Sequence, residues 1–203
     1  MAGELLRNFD ITPKIKGQFA VKEAVFPFDR FPGVDTVLGP EMKSTGEVMG
    51  MDAGWGRAFL KAQMATGMKL PTHGTVFISV REGDKPKVAA LAKDFVDEGM
   101  TIMATRGTAS VIADSGIDVI VVNKVREGQP HCVDAMINGD VALVVNTVEG
   151  AREVEESKGI RSTALAKRIP YSTTMPGASA VARAIRALRA QTLAIRSLQD
   201  YMA

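Results

Sequence analysis

A chain of 203 residues with 46% hydrophobic and 24% charged side chains can bury a core, which excludes a disordered tail. Its 25 Lys and Arg against 23 Asp and Glu leave a net charge of +2, too balanced for a nucleic-acid binder with a concentrated basic face. The single cysteine, Cys132, excludes an internal disulfide, and no Cys/His cluster has zinc-ligand spacing.

The N-terminus lacks the apolar run of a signal peptide, and no apolar stretch approaches the ~20 residues that cross a bilayer. A cytoplasmic protein without nucleic-acid or membrane partners is expected. The pattern divides near residue 70, giving expected units of 1–70 and 71–203. In the first, Val21 to Phe28 reads as a strand. Pro27, Pro32, Gly33, Gly39 and Pro40 then break the chain into a long loop carrying Phe26, Phe28 and Phe31. Asp52 is placed to cap a helix running to Thr66, stopped by Gly67. These elements bury too little apolar surface to be a domain, so the segment reads as part of something larger.

After Pro71 the pattern is regular. Thr75 to Val80 is a β-rich run, and Asp84 is placed to N-cap a helix over Lys85 to Glu98, stopped by Gly99. Val88, Leu91, Ala92, Phe95 and Val96 form that helix's apolar stripe. Met100 to Ala104 is a strand, and Thr105-Arg-Gly-Thr108 turns into a short helix ending at Gly116. Ile117 to Val122 and Val141 to Val145 are continuous apolar strands, as in a sheet covered on both faces. Between them lies a helix around Val133 to Ile137, and another begins near Ala151. Tyr171 falls in a last short strand. The helix after Pro176 sets Val181, Ala182, Ile185, Leu188 and Ile195 on one face. Strands alternating with helices predict an α/β fold, a mainly parallel sheet with helices on both faces.

In such sheets ligands bind beyond the carboxyl ends of the strands. Here those ends carry Ser79 with Lys85 at the next helix start, then Thr105 and Thr108, then Asn123-Lys124, then Asn146-Thr147. Helix N-termini offer free N–H groups and partial positive charge, Gly107 permits close backbone approach, and the lysines supply full charge. The alternative is that the hydroxyls and amides are caps and the lysines solvated surface. Donors at all four ends, with no carboxylate pair among them, favour a phosphate pocket. No catalytic set accompanies it. His131 is the one candidate acid/base group near the third loop, with a helix-start residue the favoured reading. Asp134 could act as a base, with helix surface favoured; Cys132 reads as a small buried hydrophobe and His73 as structural. Neither a G-x-x-x-x-G-K-[ST] loop nor a G-x-G-x-x-G fingerprint occurs.

The run from Phe28-Asp-Arg-Phe-Pro-Gly to Gly-Glu-Val-Met-Gly50 resembles the end of the second ATP-grasp half of carbamoyl-phosphate synthase large chains. Ser79-Val-Arg-Glu-Gly-Asp-Lys85, Ala104-Thr-Arg-Gly-Thr108, Val122-Asn-Lys-Val-Arg-Glu-Gly128 and Val145-Asn-Thr147 resemble, in order, motifs of that family's allosteric domain. The resemblance implies a remnant of an ATP-grasp domain followed by a methylglyoxal-synthase-like domain. It implies a nucleotide monophosphate effector, UMP or IMP, at Ser79, Lys85, Thr105, Thr108, Lys124, Asn146 and Thr147. It also implies a second site for ornithine, with Glu23, Tyr171 and Thr173 matching its lining and the usual acidic partners of Glu23 upstream of Met1. The parent enzyme makes carbamoyl phosphate from bicarbonate, glutamine-derived ammonia and ATP, with Mg or Mn, for pyrimidine and arginine synthesis. Its partners would be the rest of the large chain, a glutaminase small chain and further copies in a homo-oligomer. The fragment itself would hold no cofactor and no catalytic residue. A free-standing methylglyoxal-synthase-like lyase is the alternative, but Val125-Arg-Glu-Gly-Gln-Pro130 lacks the aspartate such a lyase uses. The inosicase domain of purine synthesis shares the Thr-x-Gly-Thr loop but not the Phe28–Gly50 block.

Overall fold

The computed structural model describes residues 3–9, 17–28, 44–190 and 193–202. The expected loop through Phe31, Pro32, Gly33, Gly39 and Pro40 lies outside the described residues, as does most of the Phe28–Gly50 block.

Five short apolar runs pair side by side as a parallel sheet: β3 (Thr75–Ser79), β4 (Thr101–Thr105), β5 (Val119–Val122), β6 (Leu143–Asn146) and β7 (Tyr171–Ser172). Their spatial order is β5-β4-β3-β6-β7. Alternate side chains leave a strand on opposite faces. Val76, Ile78, Ile102, Ala104, Leu143 and Val145 accordingly join one core, with the buried stripes of α2 (Lys85–Asp97), α3 (Arg106–Ala113) and α7 (Met175–Arg189). Phe77, Met103 and Val144 join another, with α4 (Cys132–Asn138) and α6 (Lys158–Lys167). The sheet is thus covered by helices on both faces. Each fully buried side chain of this size contributes about 1.5–3 kcal/mol.

Two sequence readings of the cores need correction. β6 is buried throughout, but β5 is the edge strand, and Ile120 and Val121 are 48% and 58% exposed. Its continuous apolar run therefore does not mark double cover: as the edge strand it is paired on one side only. Val96 is also exposed, because it falls beside the α2 stripe rather than on it.

The earlier part of the chain supplies β1 (Phe19–Val25), antiparallel β2 (Gly46–Asp52) and α1 (Trp55–Ala65). The hairpin lies directly on α1. A Cβ on Gly50 would sit 2.1 Å from the Ala58 carbonyl oxygen, so only glycine lets the two backbones approach this closely. α1 packs in turn on α7, and Leu60 and Leu70 enter the core shared with α2 and α7.

Asp52 is not the expected N-cap. It ends β2, is buried, and the cap position of α1 is Gly54. Its Oδ1 accepts from the Gly54 N–H at 3.0 Å and from Arg57 Nε at 2.6 Å, while Oδ2 meets Lys61 Nζ at 2.8 Å. Burial would raise its pKa, but the bonds from Lys61, Gly54 and Arg57 prevail and hold it at about 2. Asp84 does stand at the N-cap of α2 but caps nothing with its side chain, which turns to Arg81 Nε at 2.9 Å. α7 ends at Arg189, and Ile195 lies beyond it, fully exposed, because the chain there folds back toward α1. Lys61 Nζ donates to the Ala194 carbonyl at 2.7 Å, and Tyr201 of α8 (Leu198–Met202) donates its hydroxyl to the Met51 carbonyl at 2.8 Å. Among the described residues no helix is long and apolar enough to cross a membrane.

Candidate ligand-binding cleft

The strand ends converge as the topology requires. A cleft of about 200 Å3 opens beyond β3, β4, β5 and β6, and Ser79, Thr105, Lys124, Asn146 and Thr147 line it. Ser79 Oγ and Thr105 Oγ1 lie 3.1 Å apart, joining the ends of neighbouring strands. Thr147 donates its backbone N–H to the Ser79 carbonyl at 3.0 Å and accepts the Arg81 N–H on its hydroxyl at 3.1 Å. Asn146 Nδ2 donates to the Tyr171 hydroxyl at 3.4 Å.

The other two candidates, Thr108 and Lys85, are not among the residues that line the cleft. Thr108 is buried, and its hydroxyl accepts the Val80 N–H at 3.2 Å, tying the loop after β3 to α3. Lys85 pairs with Glu82 and crosses the start of α3: a Cβ on Gly107 would come 3.5 Å from its Nζ. Its ammonium therefore lies beside the Thr105–Thr108 turn.

Arg81 and Arg126 also line the cleft, although sequence reading did not select them. Arg81 follows the same strand as Ser79, a signal that was available. Arg126 stands on the short turn Val125–Glu127, and nothing local marks it. Carboxylates reach the cleft too, from elements beyond the strand ends: Glu127, Glu153 and Glu156. Each is engaged. Glu127 accepts the Lys124 N–H at 2.9 Å, and Glu153 accepts the Glu149 N–H at 2.8 Å. Glu156 meets Arg126 at 2.7 Å and Arg152 at 2.8 Å, and the Arg152 hydrogen bond, with Arg126 beside it, holds its pKa below the usual range.

His131 is the N-cap of α4. It donates its backbone N–H to Asp134 at 2.9 Å, and its Nδ1 faces the Asp134 N–H at 3.3 Å, a reciprocal capping box that occupies both residues. Burial pushes the Cys132 thiol up to about 11, so it stays protonated at neutral pH and is a poor nucleophile. Among the described residues no three His, Cys, Asp or Glu side chains cluster as a metal site.

The second set of candidates is dispersed. Glu23 on β1 accepts from Gln63 of α1 at 2.8 Å, Tyr171 borders Asn146, and Thr173 is exposed after β7. Glu23 belongs to the antiparallel pair β1–β2, whereas Tyr171 and Thr173 lie at the β7 edge of the parallel sheet.

Comparison with known proteins finds this chain 48% identical, over 207 residues, to the carbamoyl phosphate synthase large chain of Rhizobium meliloti (strain 1021). That match covers 99% of this chain and 18% of the relative. The large chain of Mesorhizobium japonicum is 49% identical over 209 residues, 100% of this chain and 18% of the relative. That of Nostoc sp. is 45% identical over 202 residues, covering 99% and 18%. The chain is a relative of the carbamoyl phosphate synthase large chain. It spans under a fifth of the length of those relatives. Residues 87–173 match the MGS-like domain, a span that includes Thr105, Lys124, Asn146 and Thr147 and begins just after Ser79 and Lys85. A solved methylglyoxal synthase from Elizabethkingia anophelis NUHP1 superposes with a TM-score of 0.46 at 15% identity, covering 56% of this chain and 79% of that one.

Proposed function

We propose that this chain is the regulatory part of a carbamoyl phosphate synthase large chain, and that its cleft binds the phosphate of a nucleotide effector such as UMP or IMP. The observation that carries this reading is the convergence of Ser79, Thr105, Lys124, Asn146 and Thr147 on one cleft at the carboxyl edge of the sheet. Hydroxyl and amide donors there orient phosphate oxygens, while Lys124, Arg81 and, from beside the Thr105–Thr108 turn, Lys85 supply charge. Residues 1–70 would be the ATP-grasp remnant, with Glu23, Tyr171 and Thr173 contributing to an ornithine site shared with the rest of the large chain. ATP with Mg or Mn, the glutaminase small chain, assembly into oligomers and the cytoplasmic location belong to the parent enzyme in this reading. Ligase chemistry would reside outside this fragment, since the cleft holds no nucleophile–base pair. A protonated Cys132 and a His131 engaged as the N-cap of α4 also speak against the lyase alternative.

Titration calorimetry with UMP and IMP tests the reading. A phosphate-dependent heat is expected, and Lys124→Ala should weaken it by about 1.5 kcal/mol, the lower end for a charged hydrogen bond because this lysine is exposed. A correctly folded protein that binds neither nucleotide would refute the site.

A further inference from the structure

An anion cleft walled partly by carboxylates poses a physical problem. Glu153 and Glu156 line it, and both lie on α5 (Gly150–Glu156). A phosphate dianion beside that wall would be repelled if the wall stayed where it is. The same helix is held in place by the cleft's own cations. Arg126 meets Glu156 at 2.7 Å, and Arg81 reaches Glu149, just before α5, at 3.7 Å. Little else fixes this helix. It has seven residues and buries none of them, and a helix of that length is not stable alone. Its far end is pinned by buried Arg161, whose Nη1 donates to the Val154 carbonyl at 2.7 Å and contacts Ser157 Oγ. The junction of α5 and α6 can therefore serve as a fixed pivot.

Resting on the reading of the cleft as a phosphate site, we propose that α5 is a charge-released clasp. Glu149 and Glu156 occupy Arg81 and Arg126 until a phosphate-bearing ligand takes those guanidinium groups over. Carboxylate and phosphate present the same paired-oxygen geometry to a guanidinium, and the phosphate carries the larger charge. Once displaced, the carboxylates face a like charge: Glu149 and Glu153, toward the free end of α5, swing away about the pinned junction, while Glu156, beside the pivot, leaves Arg126 by its side chain alone and keeps Arg152. Ligand charge is thereby converted into movement of one short helix, with no rearrangement of the sheet. Arg81 stays oriented through the exchange, because its Nε remains bound to Asp84 at 2.9 Å.

The test combines hydrogen exchange over residues 150–157 with calorimetry, using UMP and inorganic phosphate as probes. In the wild-type chain UMP should accelerate exchange in α5. The Glu149→Gln/Glu156→Gln variant should exchange faster without ligand and bind UMP about two- to fivefold tighter, the range for exposed ion pairs. Glu155→Gln, exposed on the same helix, removes one of the same charges without freeing a cleft arginine and should change affinity less than about twofold. Equal gains for Glu155→Gln and the double variant would reduce the effect to net charge and overturn the clasp. Unchanged exchange in the double variant would overturn it even where UMP binds normally. Failure of the wild-type chain to bind either probe would overturn the phosphate-site reading and the clasp with it.

Discussion

Asp52 shows how much one buried carboxylate can hold together. It accepts from a backbone N–H, an arginine and a lysine, which outweigh its burial and keep its pKa near 2. A carboxyl depressed from about 4 to about 2 stabilises the fold above pH 4, and that contribution is lost as pH falls from 4 toward 2. The magnitude is about 2 kcal/mol. Asp52→Asn should therefore lower stability to urea at pH 7 by about 2 kcal/mol, leaving Lys61 and Arg57 without their shared counter-ion. The gap between variant and wild type should close as pH drops to 2. A gap that persists at pH 2 would mean that shape, not charge, makes Asp52 necessary.

At the scale of elements, the seam between β2 and α1 is the least tolerant contact. Gly50→Ala forces a methyl onto the Ala58 carbonyl, which is backbone and cannot turn aside. Separating strand from helix should cost about 3 kcal/mol, read by thermal unfolding. Gly46→Ala, in the same strand with open space around its Cα, should be nearly neutral. The contrast isolates close approach from any general effect of glycine. This seam was not legible in the sequence. Gly46-Glu-Val-Met-Gly50 has too little alternation to read as a strand, and the partner that makes it one, β1, lies twenty or more residues earlier. By contrast α2 and the buried strands were legible, because a periodic stripe or a β-branched run reports a face that tertiary packing then uses. β5 shows the limit of that signal: its apolar run is β-forming, but Ile120 and Val121 stay about half exposed, so the run does not report what covers the strand. The cleft followed the same division. Its hydroxyl, amide and lysine donors sit at strand ends, where topology alone brings them together. Glu153 and Glu156 arrive on a helix whose path no local pattern fixes, and Arg126 acquires its role only through a partner thirty residues away.

On the scale of the whole molecule, α7 joins two regions that the sequence divided near residue 70. It follows β7, beside the cleft, and packs on α1, where Arg183 lies over the Trp55 ring at 5.6 Å. The chain then returns along α1. Lys61 Nζ takes the Ala194 carbonyl and the Tyr201 hydroxyl in addition to Asp52, and Tyr201 closes the circuit on Met51. Leu193 meanwhile packs against the main core. These contacts bind the hairpin and α1 to the sheet domain from two directions, through α7 and through residues 193–202. Removal of everything after Ala190 should therefore weaken the hairpin more than the sheet. Three hydrogen bonds of about 1 kcal/mol each would be lost, lowering Tm by about 6–12 °C for a chain of this size. Tyr201→Phe, which removes only the hydroxyl and with it two of the three bonds, should reproduce about two thirds of the shift. Hydrogen exchange locates the effect: amides of β2 and α1 should exchange faster in both variants while those of β3 and β6 keep their protection. Equal loss of protection in all four elements would mean that residues 193–202 support the whole core rather than fastening its early segment to it.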